Sequence, residues 1–218
     1  MSLFKLALLT FFITTLSGAS SAQDVEVSFY SGIQTSPHSR VEFRDGAGGR
    51  PDFTAGWDGR SLEMPPYYGL RGMLWTESGW GVGAEFTHAK VYGDDETLSA
   101  SSFTTLEFTD GINILTANAF YRWDQPNSKW TPYAGAGLGI SIPHVEVVGN
   151  GISVLEYQVT GPAIRLVVGI SYEIDDRWAV FTEYNGTYSK NDIDLGNNAT
   201  LQTNIITNAI NIGFTHSF

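Results

Sequence analysis

The sequence contains no cysteine, so disulfides cannot stabilise its fold. After the amino terminus it has no apolar run approaching the ~20 residues that a membrane-spanning helix requires. Basic residues are also scarce, because 12 Lys and Arg stand against 23 Asp and Glu, for a formal net charge of −11. So acidic a chain is a poor candidate for nucleic acid binding. Any membrane crossing must be made by β-strands, which satisfy their backbone groups only when the sheet closes.

Residues 1–22 are predicted to be a cleaved signal peptide. Lys5 supplies the positive charge, Leu6–Leu16 is an apolar core too short to span a bilayer, and Ser20–Ala22 supplies small residues for cleavage before Gln23. An N-terminal anchor helix is the alternative, and the short apolar core disfavours it. We therefore expect residues 23–218 to form one exported barrel domain, about the right length for a single unit.

The last stretch of the chain, Thr203–Phe218, alternates strictly between two kinds of side chain. Large apolar residues occupy the even positions Ile206, Ile210, Ile212, Phe214 and Phe218, whereas the odd positions after Ile206 are small or polar and uncharged. This period of two predicts a strand with one face on lipid and the other on a packed barrel lumen. A terminal Phe on a last strand also resembles the signal recognised by the outer-membrane barrel assembly machinery, an expected partner.

Eight strand-like runs are each about long enough to cross a bilayer at a tilt. They are Val25–Thr35, Tyr67–Trp75, Trp80–Val91, Ile112–Trp123, Trp130–Ile142, Tyr157–Ile174, Trp178–Tyr188 and Thr203–Phe218. Three connections are short and polar, and the other four, Ser36–Pro66, Tyr92–Gly111, Pro143–Glu156 and Ser189–Gln202, are long. The sequence thus predicts an all-β fold, an eight-stranded antiparallel transmembrane β-barrel with short periplasmic turns and long extracellular loops.

Tryptophan placement supports this orientation independently. Five of the six tryptophans lie at the short turns, namely Trp75, Trp80, Trp123, Trp130 and Trp178. Amphipathic rings collect where lipid headgroups meet acyl chains, so we expect an aromatic belt at the periplasmic interface. The alternative, ordinary core tryptophan in a soluble β-protein, explains the clustering at turns less well.

Charged residues of both signs fall on the predicted luminal faces, among them Arg71, Glu85, Arg165 and Glu183. An eight-stranded barrel is only wide enough to be filled by side chains, so opposite charges inside it must pair. A proton path or a catalytic pair is one interpretation. A structural ion network that plugs the lumen is the favoured one.

Residues suited to chemistry gather toward the long-loop end. His38, His88 and His144 lie near the outer ends of the first, third and fifth runs, which all point the same way. Acids accompany these histidines, among them Glu107, Asp110 and Glu146. Neutral imidazole with carboxylate suits a divalent transition metal, so we predict metal ligation by the histidines and catalytic roles for the acids. Solvated loop histidines and acids remain the alternative.

The first long connection adds a candidate substrate surface. Trp57 lies among charged residues, where it either stacks on a sugar or caps the barrel mouth. We predict that phosphate is bound by Arg40, Arg60 and Lys90. An arginine can donate two parallel hydrogen bonds to it, and a lysine offers a single compact charge. Simple solvation of these basic residues is the alternative.

Longer segments of these connections and strands carry a resemblance. They are QTSPHSR (34–40), AGWDGRS (55–61), PPYYGLR (65–71), EFTHAKVY (85–92), LEFTDG (106–111), PHVEV (143–147), EYQVTGP (156–162) and EYNGTYS (183–189). Together they resemble proteobacterial outer-membrane barrels of the lipid A oxidase family, over nearly the whole mature chain. The resemblance implies an oxidoreductase of the bacterial outer membrane that acts on lipid A of lipopolysaccharide. Its reaction is oxidation of the proximal glucosamine to an aminogluconate unit, with molecular oxygen as co-substrate and a divalent metal ion implicated.

The resemblance supplies no catalytic residue set, so the site remains a hypothesis from the residues. In it, a metal held by His38, His88 or His144 with Glu146 or Asp110 binds oxygen or the sugar hydroxyl, and Glu107 removes a proton. Two other functions stay open. A passive surface barrel, structural or adhesive, needs only the fold, and a lipid A acyl hydrolase needs a serine–histidine pair such as His38-Ser39 at the outer rim.

Overall fold

The computed structural model describes residues 24–45 and 52–218, apart from the side chains of residues 109 and 110. The predicted signal peptide, residues 1–22, lies outside the described residues. The described part forms ten strands and one short helix: β1 (Asp24–Arg44), β2 (Phe53–Asp58), β3 (Tyr68–Trp75), β4 (Trp80–Gly93), α1 (Asp95–Ser101), β5 (Phe103–Arg122), β6 (Trp130–Gly149), β7 (Ile152–Tyr157), β8 (Gly161–Glu173), β9 (Trp178–Gly196) and β10 (Ala199–Ser217). Within these ranges no helix combines the length and apolar character needed to cross a bilayer.

Eight of the strands close into an antiparallel barrel. Around the barrel the order is β1-β3-β4-β5-β6-β8-β9-β10, and β10 pairs with β1, so the sheet has no edge at this level. The predicted eight-stranded barrel is therefore confirmed. The two short strands lie toward the outer end, where β2 bridges β1 and β4, and β7 pairs with β6.

The two faces of the wall follow the predicted alternation. On β6, Leu138 is 68% exposed whereas Tyr133 is buried, and on β8, Leu166 is 60% exposed whereas Arg165 is completely buried. Large apolar side chains thus face outward, where lipid lies, and polar or small ones face the lumen.

The periplasmic tryptophans divide between the two faces. Trp80, Trp123, Trp130 and Trp178 are exposed and form the expected belt. Trp75 differs, because its position in β3 shares the luminal parity of Arg71. Its indole is buried, and its Nε1 donates to Glu26 Oε2 at 2.8 Å. The belt is therefore made by four of the five tryptophans at the turns.

The predicted long loops are largely continued strand. Gly149-Asn150-Gly151 turns β6 into β7, and Asn197-Asn198 turns β9 into β10. Strand β1 alone has 21 residues, about twice the 9–11 that cross a bilayer. The sequence interpretation missed this extension because its outward residues are polar, as in loops. The inward ones remain apolar and buried, as Val147 on β6 and Ile193 on β9 show.

The extracellular part of the lumen is filled by a core of buried apolar side chains. The ring of Phe43 meets that of Phe103 edge-on at 5.2 Å, and the rings of Trp57 and Phe108 lie 6.1 Å apart. Burial of this apolar surface stabilises the barrel beyond the membrane. Below the core the lumen changes to a layer of buried charges.

Candidate functional site

The buried charges form one network across the lumen. Arg71 Nε donates to Glu85 Oε2 at 2.8 Å, and Arg71 Nη2 donates to Glu183 Oε1 at 2.7 Å. Arg165 donates to Glu85 from the opposite wall and also to Thr87. Two guanidinium groups thus balance two carboxylates in the middle of the barrel.

Two tyrosines complete this network. Tyr30 Oη donates to Glu85 Oε1 at 2.5 Å, and Tyr133 Oη donates to Glu183 Oε2 at 2.7 Å. Because both carboxylates are ion-paired and hydrogen-bonded, their burial is compensated. The arrangement has the form of the structural network favoured from the sequence, joining β3 and β4 to β8 and β9.

His88 lies on the side of β4 that faces away from the lumen, above the lipid-facing residues of that strand, and its side chain is only 4% exposed. It stands level with Tyr68 of β3 and Asn113 of β5 in the strand ladders. Its Nδ1 lies 2.9 Å from Asn113 Oδ1, and its ring stacks on Tyr68 at 5.2 Å between centroids. These contacts fix the imidazole at the boundary between the apolar band and the polar extension.

Three further candidates lie on the same outward surface. On β6, His144 packs against Tyr157 with ring centroids 4.5 Å apart, and Glu146 follows it on the same face. Glu107 of β5 stands directly opposite Glu146. Neighbouring strands β4, β5 and β6 therefore bring His88, Glu107, His144 and Glu146 to one outward surface, which we call the outer-rim patch.

An irregularity of β5 lies in the middle of this patch. The β5–β6 register shifts between Glu107 and Ile112, and Asp110 is in that segment. Its side chain lies outside the described residues, so the prediction for its carboxylate stays a prediction. Gly111 has φ +88°, and a Cβ there would lie 2.5 Å from His88 Cε1. Glycine lets the backbone of β5 pass directly against the imidazole.

Two of the predicted basic residues lie beside the patch. Lys90 Nζ donates to the Glu63 carbonyl at 3.0 Å and lies 5.2 Å from the ring centre of Tyr92. Arg60 Cζ lies 4.6 Å from the centre of the same ring. Tyr92 in turn stands opposite Glu107. Lys90 is buried, whereas the Arg60 side chain is 39% exposed, so Arg60 is the more accessible cation.

Arg40 lies on β1, away from the patch. It pairs with Asp52 and, more loosely, with Glu42, at 3.6 Å. Hydrogen bonds from Arg44 and Arg40 lower the pKa of Asp52. This exposed group of charges is therefore internally balanced.

His38 also lies on β1 and is exposed. Hydrogen bonds from Thr97 are the main reason that the pKa of Asp94 is lowered, and His38 lowers it slightly further. The structure brings His88 and His144 to one surface and leaves His38 elsewhere. In the described ranges no group of three or more histidine or acidic side chains is placed to hold a metal ion.

Trp57 belongs to the apolar core at the barrel mouth. Only 6% of it is exposed, and its Nε1 donates to Ser39 Oγ at 2.8 Å. The Ser39 hydroxyl also bonds to Thr203 Oγ1 at 2.8 Å. Of the two roles left open for Trp57, its position is that of the cap. The contacts of Ser39 are structural and give no support to a His38-Ser39 nucleophile.

The sequence interpretation did not single out the residues that hold the two imidazoles. Asn113, Tyr68 and Tyr157 contact His88 or His144 from neighbouring strands, across separations set by strand register. Gly111 carried a weak signal, as a glycine following an aspartate after a run of strand-forming residues. Register between distant strands is needed to place the others.

The chain matches a known protein family over most of its length. A family model described as the outer membrane protein beta-barrel domain matches residues 7–218. The chain belongs to this family. Membership of the outer membrane protein beta-barrel family places the chain in the bacterial outer membrane and agrees with the closed barrel and its lipid-facing band.

Two solved structures are similar to this family member. Outer membrane protein AlkL in lipid bilayers is 15% identical, with a TM-score of 0.55 over 93% of each chain. Neisserial surface protein A is 16% identical, with a TM-score of 0.49 over 91% of this chain and 98% of its own. At such identities the likeness to AlkL shows the fold alone. None of the curated proteins compared with the chain matches it significantly.

Proposed function

We propose that this outer-membrane barrel modifies lipid A, which it meets from the side in the outer leaflet. The observation that carries the proposal is the outward direction of the outer-rim patch, at the upper edge of the lipid-facing band. Inside the barrel, the apolar core fills the lumen at the level of the patch, and the ion network closes the lumen below it. A substrate of the patch therefore arrives laterally, as a lipid whose polar head rests at the rim.

The reaction we propose is the one implied by the resemblance, oxidation of the proximal glucosamine to an aminogluconate unit. A glucosamine with a free anomeric hydroxyl loses two electrons and two protons, one from carbon and one from oxygen, to give a lactone. Molecular oxygen accepts them and becomes hydrogen peroxide, and water opens the lactone to the acid. The lipid gains one oxygen atom in all.

Carboxylates of the outer-rim patch supply the base for this reaction. Glu107 and Glu146 stand opposite each other on β5 and β6, within reach of a sugar ring lying across the two strands. One of them takes the hydroxyl proton as the carbon–hydrogen bond breaks. His88 is buried and held by Asn113 and Tyr68, so it acts as a positioning residue behind the carboxylates. Arg60, half-exposed above Tyr92, contacts a phosphate of the lipid head.

The divalent metal implied by the resemblance does not fit the described side chains as a three-ligand centre. His88 and His144 stand on strands separated by β5, and His38 lies on β1. No step of the proposed reaction is therefore assigned to a metal. A metal requirement stays a prediction, checked by loss of product with a chelator and its return with one added divalent ion.

Mass spectrometry of lipid A from cells with and without the protein tests the proposal. The wild-type chain should add one oxygen atom to lipid A. His88→Ala and Glu146→Gln should abolish the addition while the barrel still assembles, and Glu42→Gln, which removes an outward acid of β1 away from the patch, should not. Loss of an acyl chain would indicate the hydrolase instead.

A non-enzymatic surface barrel is the second candidate. The observation that favours it is the long extracellular extension with its own apolar core, which makes a rigid display surface. Unchanged lipid A in cells that carry the assembled wild-type barrel would support this function and contradict the oxidase.

A further inference from the structure

The periplasmic half of the lumen holds a cavity of about 660 Å³ that opens at the short-turn end. Its roof is Arg71 of the ion network, and Phe120, Tyr133 and Phe181 line its walls. All three aromatic side chains are buried. Hydroxyl groups, among them those of Ser28, Thr131 and Thr215, share the wall with these rings. A cavity of this size that combines aromatic and polar lining is typical of sites for small molecules.

The roof of the cavity presents no net charge to a molecule that enters it. The Arg71 guanidinium is shared between Glu85 and Glu183, at 2.8 and 2.7 Å. It also lies 4.8 Å from the ring centre of Phe120. The inner end of the cavity therefore favours an apolar group.

The mouth of the cavity is strongly acidic. Six carboxylates line it against the two arginines Arg122 and Arg177; the acids are Asp24, Glu26, Asp124, Glu173, Asp175 and Asp176. Arg122 is already bound by three of them, Asp24, Glu26 and Asp124, at 3.0, 3.1 and 3.2 Å. Across the described residues, Glu173 and Asp176 make no ion pair within 4 Å. The mouth therefore attracts positive charge.

We propose that this cavity binds a small organic cation with an apolar body, admitted from the periplasm. The apolar body lies between Phe120 and Phe181 under the neutral roof, and the cationic group remains at the mouth beside Glu173 and Asp176. Aromatic walls also stabilise a cation that lies over a ring. The site is independent of lipid A, because the ion network and the apolar core separate it from the outer-rim patch.

Nuclear magnetic resonance of the purified barrel in nonionic micelles tests the proposal with benzyltrimethylammonium as the probe. Trp75 and Trp178 line the cavity, whereas Trp80 and Trp130 do not, so only the first two indole signals should shift and saturate. Benzyl alcohol and benzenesulfonate, which are neutral and anionic, should shift them much less. Equal shifts from the anion, or no saturable shift from the cation, would overturn the assignment.

Three variants separate this site from general attraction to an acidic protein. Glu173→Gln with Asp176→Asn should weaken binding of the cation about tenfold by removing two mouth charges. Glu77→Gln removes an exposed periplasmic carboxylate that does not line the cavity and should leave binding unchanged. Ala179→Trp should block binding by filling the cavity. Equal weakening by Glu77→Gln, or binding that persists in Ala179→Trp, would contradict a site in the cavity.

Discussion

Arg71 of β3 and Glu183 of β9 form an ion pair of 2.7 Å across the lumen, between strands that are not neighbours in the wall. The pair joins two sides of the barrel that the backbone ladder does not connect directly. Glu85 and Arg165 extend it to β4 and β8. The network therefore holds the barrel cross-section and separates the periplasmic cavity from the outer core.

Breaking this pair should destabilise the barrel. In Glu183→Gln the Arg71 guanidinium keeps only Glu85, so we expect the free energy of unfolding to fall by about 3–5 kcal/mol, as when one partner leaves a buried pair. Equilibrium urea unfolding in detergent measures the change. Glu156→Gln, an exposed acid of β7, is the control and should unfold like the wild type. An unchanged midpoint in Glu183→Gln would show that the network contributes little.

Trp57 should matter for stability and not for the reaction. Trp57→Ala leaves a cavity in the mouth core and should cost about 3–5 kcal/mol. Trp57→Phe keeps most of the apolar contact and loses the bond to Ser39, so it should cost less and leave lipid A modification intact. Urea unfolding and lipid A mass spectra measure the two effects. Loss of product in a stable Trp57→Phe barrel would instead support sugar stacking.

Gly111 should be needed for the arrangement of the outer-rim patch. A Cβ at this position would lie 2.5 Å from His88 Cε1, and the backbone φ of +88° is unfavourable for a residue with a side chain. Gly111→Ala must therefore displace the imidazole or the β5 backbone. We expect an assembled barrel with little lipid A product. Gly151→Ala is the matched control, because its φ is +77° but nothing lies within 4 Å of the added carbon. Equal activity in the two variants would contradict a role for the contact with His88.

Helix α1 should depend on pH through its amino-terminal cap. Asp94 Oδ1 accepts from the Thr97 amide at 2.8 Å, and these bonds lower the pKa of Asp94 below its ordinary 3.8. The cap therefore stabilises α1 fully when the pH is above 3.8, the ordinary pKa of the group. This stabilisation is lost as the pH falls through the lowered pKa of the folded state. Hydrogen exchange at Thr97 should be slower in the wild type than in Asp94→Ala at neutral pH. The difference should vanish in acid, and a constant difference would contradict the titration.

The sequence predicted the membrane-facing half of the fold because one physical pattern controls it. Alternation places Leu166 outward and Arg165 inward wherever lipid meets one face. Beyond the membrane the same alternation separates water from an apolar core, so outward polar residues in Pro143–Glu156 resembled a loop although Val145 and Val147 continued the pattern. The predicted strand therefore ended before the real one.

The candidate site was only partly predictable. The direction in which each strand runs correctly predicted that His88 and His144 lie near the outer rim. Their positions around the barrel depend instead on the order of the strands and on shifts in strand register. β1 and β6 are not neighbours, so His38 could not be placed with His144 from height alone. The tight approach of Gly111 to His88 depends on a register shift in β5, which no local pattern specifies.

Reconstitution of the purified barrel in bilayers that contain lipid A with a free anomeric hydroxyl separates an oxidase from a non-enzymatic barrel. With oxygen present, we expect lipid A to gain one oxygen atom and hydrogen peroxide to form in equal amount. Without oxygen, or with His88→Ala, neither product should form. Unmodified lipid A beside a folded wild-type barrel under oxygen, supplied with divalent ions, would contradict a catalytic outer-rim patch.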